Sequence, residues 1–132
     1  MPQLVKGGKW VFGWVMVGAD RLIIIPSEAW LEYGFQAYVE AVFLQGSARS
    51  GGFGLSYASR MASSKIPLES RVIARGIFGE GSILLPADID IQPGAKLLAG
   101  RGSGLALGFI EKGPIFEEAL NHPDLEVFGT AA

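Results

Sequence analysis

Apolar and polar positions along this chain change rhythm every few residues. Short runs of Val, Ile, Leu and aromatic residues alternate with Gly, Pro, Ser and Asp, a pattern that predicts short strands joined by tight turns. Strands are expected over Trp10 to Val17, Leu22 to Ile25, Val39 to Leu44 and Phe53 to Tyr57. Four more are expected over Val72 to Phe78, Ser82 to Leu85, Lys96 to Ala99 and Leu105 to Ile110. Trp10, Phe12 and Trp14 occupy alternate positions of the first strand, so a regular pleat puts all three on one face that must be covered. Between the second and third strands lies "PSEAWLEYG". A leading proline, acidic residues, good helix formers and then Gly34 predict one or two helical turns ending in a left-handed residue.

The order of elements occurs twice. "RLIIIPSEAW" and "SILLPADIDI" both write an apolar triplet, a proline, a small residue and an acid. Matching Pro26 with Pro86 gives a spacing of 60, and matching Gln36 with Gln92 gives 56, so the second copy lacks four residues of the helix. Matching "GLSY" at Gly54 with "GLAL" at Gly104 gives 50, which predicts six extra residues in the last turn of the first copy. Each copy reads β-β-α-β-β. Residues 58–70, "ASRMASSKIPLES", read as a linker. A unit of about 45 residues cannot enclose its own apolar strand faces, so the two copies are expected to complete one core between them.

These segments carry a resemblance. "GADRLIIIPSEAWLEYGFQAYVEAVFLQG" and "GEGSILLPADIDIQPGAKLLAGRGSGLALGFI" each resemble the AbrB/SpoVT (MazE-like) family, in which two copies interleave as a swapped-hairpin β-barrel. The resemblance implies a mostly β fold: a swapped-hairpin, double-psi-like barrel made by two ββαββ repeats in one chain, followed by a short C-terminal helix. The expected organisation is residues 1–57 for the first repeat with an N-terminal arm, 58–70 for the linker, 71–110 for the second repeat and 111–132 for an acidic tail. It also implies a transcriptional regulator that binds double-stranded DNA in the cytoplasm. Arg21 stands at the motif's arginine, although Asp20 precedes it where glycine is usual, and Ser82 replaces that arginine in the second copy. The expected DNA contacts are Arg21, Arg71 and Arg75, helped by Lys6 and Lys9 from the arm. The alternative is a non-enzymatic protein-interaction or small-ligand-binding barrel that has lost DNA binding.

Composition agrees with a folded domain, since 49% of the residues are hydrophobic and only 18% are charged. The apolar run from Trp10 stops at Asp20, short of the roughly 20 residues that a spanning helix needs, so no membrane partner is expected. With no cysteine, disulfides and thiolate metal sites are excluded. The net charge of −2 is unevenly spread: residues 111–132 carry five acids and one lysine, leaving +2 on residues 1–110. Arg49, Arg60, Lys65, Arg71 and Arg75 against Glu69 alone give a local +4 between Gln45 and Arg75, a candidate face for phosphates.

No catalytic set emerges. "GRGSGLALG" precedes a strand rather than the helix that a phosphate loop requires. His122 is the only histidine, so neither a histidine metal site nor a Ser-His pair can be assembled, and no cofactor is expected. Two surfaces remain for protein partners. The aromatic-rich first repeat could mediate homo-oligomerisation. The acidic tail, with a helix from Pro114 to Asn121, is expected either to engage a partner as an antitoxin tail does or to pack Phe116, Leu120 and Phe128 on its own barrel.

Overall fold

Every apolar run named above contains a strand in the computed structural model, which describes residues 3–5, 9–63, 69–101 and 106–129, Leu105 of the last expected strand lying outside them. The first half contains β1 (Gln3–Val5), β2 (Lys9–Met16), β3 (Leu22–Ile24), α1 (Ser27–Tyr33), β4 (Glu40–Gln45) and β5 (Phe53–Tyr57). The second contains β6 (Val72–Ile77), β7 (Ser82–Leu84), β8 (Lys96–Arg101) and β9 (Leu107–Ile110), followed by α3 (Pro114–Ala119) and β10 (Val127–Phe128). The segment expected to be a plain linker holds α2 (Ala58–Ser63) and a single 3-10 turn, Glu69–Arg71. Met61 is the reason: with Ala58 it packs on Val42, Leu44 and Val72, and that burial favours a helix in otherwise small, polar sequence.

The fold is mostly β. One sheet runs β1-β2-β8-β9-β5-β4-β6, with β10 added in parallel to β2, while β3 and β7 form a separate two-stranded ribbon. Exchanging β2, β3, β4 and β5 for β6, β7, β8 and β9 turns the pairing of β2 with β8 into that of β6 with β4, and maps the remaining cross-pairs onto themselves. Ile23 faces Ile83 in the ribbon and Gly54 faces Gly108 in the sheet, and both pairs map onto themselves. Ile23 and Ile83 are 60 residues apart, and the β4 and β8 positions that exchange in these pairings, such as Phe43 and Ala99, are 56 apart. At β5 the spacing of 50 is corrected: Gly54 and Gly108 are equivalent, a spacing of 54, so the first half has two extra residues in that turn rather than six. "GL" is too short to fix a register by itself, whereas the ladder of hydrogen bonds does.

Matching bulges stand in β2 and β6. Val11 faces Gly100 and Gly13 faces Ala99, skipping Phe12; Val72 faces Leu44 and Ala74 faces Phe43, skipping Ile73. The extra residue reverses the alternation. Phe12 therefore joins Val15 and Val17 in the main core, while Val11 and Trp14 point to the opposite face. The expected single aromatic face of β2 is split in two, and the side chain of Trp10 lies outside the described residues. The main core, with Phe43, Phe53, Phe78 and Phe109 at its centre, lies between the sheet, the ribbon and α1.

Helix α1 ends as its sequence predicts. Gly34 has φ 71°, the N–H of Gly34 donates to the Leu31 oxygen at 3.2 Å, and the N–H of Phe35 donates to the Trp30 oxygen at 3.1 Å. This is the paired-bond termination that a left-handed glycine makes possible, and the Trp30 and Phe35 rings close it with centroids 5.9 Å apart.

Candidate functional site

Each described side chain among the cations expected to meet phosphate has a partner within the chain. Arg21, with φ 68°, occupies a left-handed turn position where the equivalent residue is Gly81, at φ 75°. Its guanidinium turns inward: Nε donates to the Ile91 oxygen at 3.2 Å, and one terminal nitrogen donates to the oxygens of Pro86, at 3.2 Å, and Ile89. The loop that accepts these bonds replaces α1 in the second half. Lacking helical turns, it has carbonyls to satisfy, and Arg21 satisfies three of them. Arg21, expected at phosphate, thus clamps this loop through three main-chain oxygens.

Arg75 and Arg71 lie on or beside edge strand β6. Arg75 is 3.6 Å from a Glu40 carboxylate oxygen on the neighbouring strand, and Arg71 donates to the Gln45 oxygen at 3.1 Å. Lys9 begins β2, but its side chain lies outside the described residues, as does all of Lys6. Other cations are also held locally. Lys96 Nζ stands 4.2 Å over the Trp14 ring, Arg60 lies 5.6 Å over Tyr57, and Arg101 forms a two-pronged pair with Glu32. The Arg101 hydrogen bond holds the Glu32 carboxyl below its usual range. Beside it, burial, aided by the Glu32 charge, pushes the Tyr33 hydroxyl up to about 12.

The acidic tail covers one outer face. Trp14 meets Phe116 edge-on at 5.1 Å, and Val11, Trp14, Leu98, Ala119 and Leu125 form a second apolar cluster with Ile110 and Ile115 at its margin. Of the three residues expected to pack, Phe116 and Phe128 are partly buried, but Leu120 is exposed and Leu125 takes its place. The chain turns after α3, where the Leu125 N–H donates to the His122 oxygen at 3.1 Å, and this turn carries Leu125 inward. The aromatics expected at a homo-oligomer surface are also used within the chain: Phe12, Trp14, Tyr33 and Phe35 are buried, and Tyr38 is exposed.

Between this tail and the sheet lies a cavity of about 290 Å³, lined by Val11, Leu98, Ile110 and Ile115, by Gly100 and Gly108, and by Arg49 and Arg101 at its margin. The glycines make it. Gly100 is the equivalent of Leu44, whose side chain fills the corresponding place in the other half together with Met61. Sequence reasoning placed Arg49 in a basic cluster and missed that the first hairpin turn carries it to this apolar recess. The recess depends on packing between elements far apart in sequence, which no local pattern records.

Among the described residues, no group of three or more His, Asp or Glu side chains gathers as a metal site. No helix among the described residues is long and apolar enough to cross a membrane. No protein-family model, curated protein or solved structure matches this chain.

Proposed function

We propose that this protein is a non-enzymatic binding barrel of the AbrB/SpoVT type, built from two swapped-hairpin repeats in one chain, that takes a ligand or protein partner rather than duplex DNA. The barrel reading is supported by the exchange of pairings between halves, with matching bulges at Phe12 and Ile73 and self-paired positions at Ile23/Ile83 and Gly54/Gly108. One observation carries the functional reading: the motif arginine, Arg21, is engaged by three main-chain oxygens of its own chain. Duplex affinity grows with the number of phosphates met by Lys and Arg. Arg75 beside Glu40 and Arg101 beside Glu32 offer further local neutralisation in place of a continuous basic face.

Arg71 and Arg75 remain exposed, so the reading is tested with random duplex DNA at several salt concentrations. The expected outcome is no measurable binding at low salt. A log-log slope of roughly −3 to −4.5, the signature of three to five phosphate contacts, would restore the regulator reading and overturn this one.

A further inference from the structure

The two halves differ most on their outer faces, and the difference leaves a recess. In the groove on the outer side of β4 and β6, over Val42, Leu44 and Val72, α2 lays Met61 and Ala58. The equivalent groove over Leu98, Gly100 and Val11 is roofed by α3 and bordered by Pro114 and Ile115, and it stays open to about 290 Å³. An unbranched thioether side chain fills one groove, so the same architecture admits a flexible aliphatic chain in the other. The described lining residues include Arg49 and the Glu32-paired Arg101 and no carboxylate. Glu111, on the neighbouring stretch of chain, instead lines a separate recess with Asp88 and Asp90. Gly113, at φ 102°, turns the chain tightly beside Arg49: a Cβ placed there would stand 3.7 Å from the arginine's own Cγ.

We propose that this recess binds a small amphipathic anion, an aliphatic carboxylate, with its hydrocarbon chain on Val11, Leu98, Gly100 and Ile115 and its carboxylate at Arg49. The chain displaces water from apolar walls, and the guanidinium fork supplies a charge-assisted, two-pronged contact for the head group. Arg101 is paired with Glu32, which leaves Arg49 as the cation for the head group. This assignment rests on the reading of the protein as a binding barrel and names the ligand class for it.

The test titrates octanoate and its neutral counterpart octanol into the full chain, following backbone amide shifts by NMR. Saturable octanoate binding, with shifts concentrated at Leu98, Gly100, Gly108, Ile110 and Ile115, is expected. Octanol should bind about tenfold more weakly, and Arg49→Ala should remove that difference while leaving melting unchanged. Equal affinity for octanol, shifts centred elsewhere, or no saturation at millimolar octanoate would each overturn the assignment. Ile115→Trp, which fills the recess, should abolish binding, and a variant that keeps native affinity would count equally against it. DNA binding in the salt titration would sink the wider reading without altering these outcomes, so the two failures are distinguishable.

Discussion

Arg21 Nε donates to the main-chain oxygen of Ile91 across 3.2 Å, joining the turn before β3 to the loop that replaces a helix in the second half. Seventy residues separate the pair in sequence. The relationship makes this arginine a structural brace, and it gives the first prediction.

Arg21→Ala should destabilise the protein by about 2 kcal/mol, because three accepting carbonyls lose a charged donor, although the Pro86 and Ile89 oxygens still accept from the Ile89 and Ile91 N–H groups. Arg21→Lys should recover less than half of this, since an ammonium lacks the planar fork that spans Ile91, Pro86 and Ile89 at once. Urea denaturation measures both, and hydrogen exchange should show faster opening at the Ile89 and Ile91 amides. Unchanged stability in Arg21→Ala would remove the clamp.

Truncation after Lys112 removes Phe116, Ala119, Leu125 and Phe128 from contact with the sheet. Buried side chains of this size contribute about 1.5 to 3 kcal/mol each when fully covered, so losing the buried Leu125 and the partly covered rings should cost roughly 4 kcal/mol. The melting temperature should fall by many degrees, and Trp14, freed of Phe116, should shift its fluorescence to the red. Unchanged melting would mean the tail is an autonomous appendage.

Gly13→Ala should loosen the same tail from the opposite side. Gly13 has φ 140°, and an added Cβ would stand 2.5 Å from the Glu126 main-chain oxygen. The nearest partner is backbone and the next is the Phe128 ring at 3.0 Å, so the backbone of β2 or the segment leading into β10 must move. A loss of about 2 to 3 kcal/mol is expected from strain and displaced packing together. Thermal melts read the loss, and a melt equal to the native one would show that the bulge tolerates a side chain.

Tyr33 gives a pH dependence with a definite sign. Its hydroxyl is raised from 10.0 to about 12 by burial first and the Glu32 charge second. The folded protein therefore holds this proton more tightly than the unfolded chain does. The associated stability is fully present below pH 10 and is lost as pH rises towards 12. Phenolate absorbance should show one tyrosine titrating late, and Tyr33→Phe should flatten the stability profile in that window. A profile equally steep in the variant would assign the alkaline loss to other groups.

The sequence by itself determined the strands, their order, the short helix and its left-handed Gly34 end. These follow from local periodicity and from steric limits on single residues, and both can be read within a window of a few positions. It also determined that the second half lacks four residues where α1 stands, since the prolines and glutamines mark the spacing. Only the tertiary structure decided what faces what. The bulge at Phe12 sends Trp14 outward because β2 must keep its hydrogen bonds to a strand more than eighty residues away. The turn after α3 exchanges Leu120 for Leu125 in the second cluster, and α2 forms in the linker because Val42, Leu44 and Val72 offer Met61 a place. Arg21 shows the limit most plainly: its charge is legible in the sequence, but whether it meets solvent or three carbonyls depends on a loop brought to it by long-range pairing. The recess at Arg49 has the same origin, being the space left where Gly100 and Gly108 are packed opposite the tail.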